Sequence, residues 1–336
     1  MLFLTEQDVI DALSGGQPAH ESVELIEALM RQQSAGSTFQ LKRLTVTHPD
    51  HPGHLWHNLR ILPGMVPGMG VAAVRVYSGF RGTNRSEVIC LFDWDTMQMV
   101  SIISDHHLHA IRTASPFGVA AKHLAREDAS SIGIIGTGRY ARAMTAATCA
   151  VRPIRKVKAY SRSPENVRAF CAAMQEELGI EVEPAPSARE AVRGCDVMIT
   201  ATSGNVVVFE SGWLEPGALL MSLAPGEFDP ETILRARVFL SSIDQVVGDD
   251  PPRKPFSTVL ADGRFRVEDI CADLSDVVAG KQPGRSSAQD IILYECPGMG
   301  ILDAAIGQWV YARAKQKGLG TAMPFGEALG TEPVLR

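Results

Sequence analysis

Ser131-Ile132-Gly133-Ile134-Ile135-Gly136-Thr137-Gly138-Arg139-Tyr140-Ala141 is the stretch on which the reading of this chain turns. Ser131–Ile135 is a short apolar run with the length and composition of a strand buried on both faces. Gly136–Ala141 then fits G-x-G-x-x-A directly after that strand and at the start of a helix reaching about Val151. The first glycine permits a tight turn and the second lets backbone approach a pyrophosphate. Small Ala141 allows the helix to pack closely, while the helix N-terminus favours negative charge. Gly136, Thr137, Gly138, Arg139, Tyr140 and Ala141 are therefore expected to bind a dinucleotide. The plain alternative is a glycine-rich turn without a nucleotide, against which strand, turn, helix and second strand stand at the proper spacing.

Downstream the texture stays regular. Lys156–Tyr160 reads as a second strand and Pro164–Leu178 as a helix. Val182–Glu183 and Ala188–Val192 lead to a third strand at Asp196–Ala201, with further strands at Gly217–Ser222 and Val238–Ser242. Buried strands alternating with helices make an α/β fold with a doubly wound parallel sheet of Rossmann type. An NAD-preferring site needs an acid at the end of the second strand to bind the ribose hydroxyls. This chain has Tyr160-Ser161-Arg162-Ser163 there. Arg162 can pair a 2′-phosphate and both serines can donate to it, so NADP(H) is favoured over NAD(H). The other reading of Arg162 is a solvated surface arginine.

Upstream, Thr5 with Asp8 resembles a capping box, and Val23, Ile26, Leu29 and Met30 recur at helical spacing. The runs Leu41–Thr47, Leu55–Leu62, Gly70–Tyr77, Val88–Phe92 and Met97–Ile103, separated by turn residues, read as an antiparallel sheet. Leu108–Ala125 is again helical, with Pro116 expected near a boundary or kink. The final helix, Ile301–Lys317, has no strand after it and is expected to leave the nucleotide domain for the N-terminal one. The organisation expected is a Rossmann domain at 125–295 and a discontinuous α+β domain formed by 1–124 and 296–336. A chain of 336 residues suits two domains of ~150 residues each.

Composition excludes several classes. Thirty-two basic against 38 acidic residues leave a net charge of -6, the wrong balance for a nucleic-acid footprint. No apolar run approaches the ~20 residues that span a bilayer, and MLFLTEQD lacks the basic start of a signal peptide. Six scattered cysteines without a C-x-x-C pair argue against a disulfide framework or zinc site and for a cytoplasmic protein.

Ile111-Arg112-Thr113-Ala114, then Ala120–Arg126 and Gly133–Ala141, resembles the ornithine cyclodeaminase/μ-crystallin family. Ala201-Thr202-Ser203, Leu214-Glu215-Pro216-Gly217 and Tyr294-Glu295-Cys296-Pro297-Gly298-Met299-Gly300-Ile301-Leu302-Asp303 fit the same pattern. The resemblance covers nearly the whole chain. It implies a homodimer built from a Rossmann domain and a discontinuous substrate/dimerisation domain. It also implies that Thr113 sits beside the nicotinamide, and that Ala201, Thr202, Ser222, Leu223 and Gly298, with Ser161, Arg162 and Ser163, help to bind the cofactor. The family's carboxylate-binding arginine matches Arg112 and a second substrate arginine matches Arg43, whose other reading is an exposed strand residue. A guanidinium fork binds a carboxylate bidentately, which suits both roles.

Two departures stand out. The strand that holds the family's active-site lysine has Arg75 here, which keeps the charge without a removable proton and is expected to bind substrate. The cyclodeaminase aspartate matches Leu223; Glu227 and Asp229 lie close downstream, where they read as turn and helix-start residues. Asp105-His106-His107-Leu108-His109 precedes Arg112. His109 is three residues before Arg112, on the same helical face, and is a candidate general acid/base. The bland readings are turn and cap residues or an incidental metal cluster. His54 with Trp56, or Leu55 with His57, are further candidates to line the pocket, by strand alternation.

The expectation is an NADP(H)-preferring oxidoreductase acting on a small imine, ketimine or amino acid bearing a carboxylate, with no metal, nucleic-acid or membrane partner. The alternatives are an ornithine- or lysine-type cyclodeaminase with internally recycled NAD, and a crystallin-like protein that binds NADPH and a ligand without turnover.

Overall fold

The computed structural model describes residues 1–47, 58–78, 87–203, 206–248 and 252–324. In chain order it opens with β1 (Leu2–Leu4), α1 (Glu6–Leu13), α2 (Pro18–Ser34), β2 (Phe39–Gln40) and β3 (Leu44–Thr47). There follow β4 (Asn58–Val66), β5 (Val71–Ser78), β6 (Glu87–Asp93), β7 (Met99–Ser104) and α3 (His106–Leu124). The next elements are β8 (Ser131–Ile135), α4 (Arg139–Cys149), β9 (Lys156–Tyr160), α5 (Pro164–Leu178), β10 (Glu181–Pro184), α6 (Ala188–Val192) and β11 (Val197–Thr200). The chain continues through β12 (Leu219–Ser222), α7 (Pro230–Arg235), β13 (Arg237–Leu240), α8 (Ile243–Val247), α9 (Phe256–Ala261) and β14 (Ala272–Asp273). It closes with α10 (Leu274–Val278), β15 (Ile292–Glu295), α11 (Gly300–Gln316) and β16 (Thr321–Ala322). His54, Trp56 and His57 lie outside the described residues.

Two compact units result: residues 1–16, 37–109 and 299–336, and residues 17–36 and 110–298. The first unit holds a sheet in the order β16-β1-β7-β6-β5-β4-β2, with β3 also paired to β4. Its pairs are antiparallel except β1 with β7. The capping box forms as expected, Thr5 Oγ1 accepting from Asp8 N while Asp8 accepts from Thr5 N. α11 packs on β4, β5 and β6, and α1 packs on α11. At the start of α11 a Cβ on Gly300 would fall 2.2 Å from Pro63 O, and one on Gly64 2.3 Å from the Gly300 carbonyl carbon. Only paired glycines let helix and strand meet so closely.

The second unit holds an all-parallel sheet in the order β10-β9-β8-β11-β12-β15-β13-β14. The chain runs outward from β8 through β9 and β10, then returns to β11 on the other side. That reversal is the switch point of a doubly wound fold, where ligands bind beyond the strands' carboxyl ends.

Several boundaries differ from expectation. Residues 17–36, 110–124 and 296–298 group with the parallel sheet, not with the N-terminal domain. The reason is packing: α2 lies against α4 and α10, Glu27 pairs Lys122 at 2.6 Å, and a Cβ on Gly118 would strike Val23 at 2.4 Å. Pro116 sits inside α3, not at its boundary. Proline has no N–H, so the bond that would close on the Arg112 carbonyl is not made there. β1 and β15 were not expected as strands; each is a short apolar run whose role is set by its sheet partners. All six cysteines are free. Among the described residues no helix is long and apolar enough to cross a membrane.

Candidate active site

The glycine turn sits at the switch point of the parallel sheet. Gly136 has φ +112°, and its N–H donates to Tyr160 O at 2.8 Å. A Cβ there would fall 2.2 Å from Ala201 O, so the turn is wedged against the ends of β9 and β11. Gly138 differs. A Cβ on it would meet no atom within 4 Å, and it precedes α4 without a side-chain cap. Its bareness answers no packing need and leaves open space at a helix N-terminus, the cradle a pyrophosphate requires. Ala141 is fully buried, which brings α4 onto the sheet.

Thr137 Oγ1 donates to Ser161 Oγ at 3.1 Å, and Ser161 Oγ donates to Ser163 O at 3.2 Å. Ser163 Oγ is the acceptor that caps α5, taking the Asn166 N–H at 3.2 Å. Arg162 is exposed between the two serines, and Arg139 Nη2 donates to Tyr140 Oη at 2.8 Å. These residues fit a dinucleotide.

Glu227 organises the neighbouring loops. It is fully buried and accepts from Thr202 N and Oγ1 (2.6 Å each), Thr200 Oγ1 (3.0 Å), Ala224 N (2.8 Å) and Ser222 Oγ (3.3 Å). One carboxylate thus ties the ends of β11 and β12, including the expected cofactor residues Thr202 and Ser222. The sequence reading placed Glu227 with the following turn. Asp229 is the residue with that role, accepting from Thr232 N at 3.0 Å to cap α7.

Leu223 donates its N–H to Thr200 O at 3.1 Å and accepts from Arg253 Nη2 at 2.6 Å. Arg253 Nε also binds Glu295 at 2.8 Å. Burial pushes the Glu295 carboxyl up to about 7, against the pull of Arg253 and with help from Glu227. Arg112 and Thr113 are buried on α3. Gly298, at φ +87°, leaves space that a Cβ would deny to Arg112 Nη1.

The first unit contributes a second constellation. Arg75 is fully buried on β5 and makes ion pairs with Asp105 through Nε and with Glu87 through Nη2 at 2.6 Å. Asp303 lies 3.8 Å from Nε, and the Tyr77 ring centroid lies 4.0 Å from the guanidinium. Burial opposes its charge, but Asp105 and Asp303 more than reverse this and hold the guanidinium pKa above its usual value. His109 Nδ1 is 2.6 Å from Glu87 Oε2. Donor atoms of Glu87, Asp105 and His109 lie within 4.8 Å of one another. The cation beside them is the Arg75 guanidinium.

Arg75 is expected from the sequence to bind substrate; in the structure Nε and Nη2 of its guanidinium are engaged by Asp105 and Glu87. Arg43 is exposed just before β3. Glu87 escaped the sequence reading, and Asp105 entered it only as a turn or cap residue or as part of an incidental metal cluster. A signal existed for Glu87, since it alternates with buried Ile89 and Leu91 on β6.

The family model for the ornithine cyclodeaminase/mu-crystallin family matches residues 10–318. The chain belongs to that family. Within the ornithine cyclodeaminase/mu-crystallin family it is 28% identical over 276 residues to a Delta(1)-pyrroline-2-carboxylate reductase of Bacillus cereus, covering 79% of this chain and 84% of that one. Among solved structures it resembles a Thermococcus litoralis Delta(1)-pyrroline-2-carboxylate reductase in complex with NADH and L-proline. That likeness has TM-score 0.88 and 28% identity, over 96% of this chain and 100% of the other. It also resembles an archaeal alanine dehydrogenase dimer with bound NAD, with TM-score 0.85 and 26% identity over 97% and 99% of the two chains.

Proposed function

We propose that this chain reduces the C=N bond of a small imine or ketimine bearing a carboxylate, or oxidises the matching amino acid, with a nicotinamide dinucleotide as hydride carrier. The observation that carries the reading is the turn at Gly136–Ala141, wedged against Ala201 and open beyond Gly138. The reductase and dehydrogenase relatives support the same reaction class. When bound, the nicotinamide supplies the hydride. Arg112 would present its fork to the substrate carboxylate, and Thr113 would help to hold the nicotinamide. Holding a substrate in one orientation removes a large entropic part of the barrier. Leu223 offers neither charge nor proton, which disfavours cyclodeamination.

NADP(H) is the preferred form in this reading. No acid follows Tyr160, and Arg162 stands exposed beside Ser161, whose hydroxyl is fixed by Thr137. The chain acts as a homodimer, a reading supported by the alanine dehydrogenase dimer and by apolar residues on one face of β3 and β4. Leu44, Val46 and Leu59 share that face and are 48%, 65% and 43% exposed. Sedimentation should return twice the chain mass; a single-chain mass would end this part of the reading.

The test of function is spectrophotometric. Mixtures of a 2-oxo acid with an amine, and preformed cyclic imines, should make the enzyme consume NADPH faster than NADH. Ammonia release from ornithine or lysine without net cofactor change would replace the reading with cyclodeamination. Tight NADPH binding with no turnover across the panel would replace it with ligand binding alone.

A further inference from the structure

The segment that follows β12, residues 223–226, has its backbone held along its length. Leu223 N donates to Thr200 O at 3.1 Å, Ala224 N to Glu227 Oε2 at 2.8 Å and Gly226 N to Lys254 O at 3.1 Å. The Leu223 carbonyl accepts from Arg253 Nη2 at 2.6 Å. The peptide between Leu223 and Ala224 therefore has its C=O fixed by Arg253 and its N–H fixed by Glu227. Held at both polar groups, it has one orientation. All of these residues belong to the second unit.

Arg253 is itself anchored. Its Nε donates to Glu295 Oε1 at 2.8 Å, and the two side chains are 10% and 0% exposed. Glu295 closes β15, whose register sets it opposite Ser222 of β12. Its carboxylate offsets the cost of burying the guanidinium. The backbone is tied as well: Arg253 N donates to Val246 O at 2.9 Å, and Arg253 O accepts from Ser257 N at 3.1 Å. A planar guanidinium offers its donors at fixed angles, so a fork seated on Glu295 aims its other arm at one place. That place is the Leu223 carbonyl. Among the described residues the Arg253 side chain hydrogen-bonds to these two alone.

Resting on the dinucleotide reading above, we propose that Arg253 is a positioning residue for the nicotinamide half of the cofactor. A dinucleotide lies across the crevice at the reversal of a doubly wound sheet, one half over each set of strands. In this reading the adenosine half belongs to the β8–β9 side, where the glycine turn, Ser161 and Arg162 stand. The nicotinamide half then belongs to the β11–β12 side. Contacts within the unit lead from one side to the other. The Gly136 turn is wedged against Ala201, just past β11, Thr200 O accepts from Leu223 N, and Leu223 O accepts from Arg253. The end of β12 stands two strand spacings from β8, about 10 Å, within the span of a dinucleotide. Arg253 acts through Leu223, whose carbonyl it fixes. Without it the Leu223–Ala224 peptide keeps only its bond to Glu227 and is free to turn, and the seat for the nicotinamide loses its single shape.

The experiment is calorimetric titration of wild type and Arg253→Met with NADPH and NADH, and with the same molecules cut back to 2′-phospho-ADP-ribose and ADP-ribose. Arg253→Met should weaken the tighter-binding reduced cofactor about tenfold and leave its nicotinamide-free fragment within about twofold, since one charge-assisted hydrogen bond is lost behind one half only. Should the single variant fail to fold, Arg253→Met with Glu295→Leu carries the same expectation, because packed apolar side chains commonly replace a buried ion pair at little cost in stability. Equal weakening of cofactor and fragment would make Arg253 a purely structural residue, and unchanged affinity for both would separate it from the cofactor. Either result overturns the proposal and leaves the dinucleotide reading standing. A wild type that binds neither NADPH nor NADH removes that reading, and this proposal with it.

Discussion

A Cβ built on Gly298 would lie 2.7 Å from Arg112 Nη1, and Gly298 has φ +87°. Glycine is thus required twice at this position, for its backbone and for the space it leaves to the guanidinium. Gly298→Ala should cost roughly 1–3 kcal/mol in strain and displace the Arg112 fork. Steady-state kinetics should show KM for the carboxylate substrate raised more than kcat is lowered. An unchanged KM would separate Arg112 from substrate binding.

Glu227 accepts five hydrogen bonds from the last residues of β11 and β12 and from the loops just beyond them, with no exposure to solvent. Glu227→Gln puts an NH2 group against donors whichever way the amide is turned. A buried donor left unsatisfied costs about 1–3 kcal/mol. Thermal unfolding should fall accordingly, and NADPH affinity should weaken, because Thr202 and Ser222 lose their anchor. Full affinity in a destabilised variant would show that these loops do not hold the cofactor.

How much of this was legible depends on whether the cause was local. Ser131–Ile135, Lys156–Tyr160 and Pro164–Leu178 have the bounds their strand and helix patterns predict, because length, Gly136 and the Ser163–Pro164 cap are all written locally. Glu227 and Asp229 stand two residues apart in one turn, and nothing local says that one caps α7 while the other is buried as a hub. Arg75 alternates with Val71, Ala73 and Tyr77 on the buried face of β5. Its alternation was readable. Its partners come from β6, from the residue before α3 and from α11, and only the tertiary fold assembles them.

Arg162 offers a test of cofactor choice separate from the chemistry. Arg162→Ala should weaken NADP(H) by about one to two orders of magnitude, the worth of one charge-assisted contact of roughly 1.5–3 kcal/mol. NAD(H), which has no 2′-phosphate, should be little affected. Calorimetric titration with both cofactors checks this, and equal losses would remove Arg162 from the site.

Burial raises the Glu295 carboxyl to about 7 in the folded chain, above its ordinary value. The folded state therefore holds this proton where the unfolded state has released it. Its contribution to stability is full below the ordinary carboxylate range and is lost as pH rises toward and through about 7. Glu295→Gln should flatten the decline in thermal stability over that window. Melting curves across the window check the sign, and an identical slope in the variant would assign the decline to other groups.

The central claim is that hydride passes from the nicotinamide to an imine carbon and stays in the product. NADPH deuterated at the transferring position, incubated with enzyme and a cyclic imino acid, tests this directly by mass spectrometry of the amino-acid product. The expected result is one deuterium on the former imine carbon for each NADPH oxidised. An unlabelled product with no net oxidation of NADPH, in enzyme saturated with the cofactor, would contradict it.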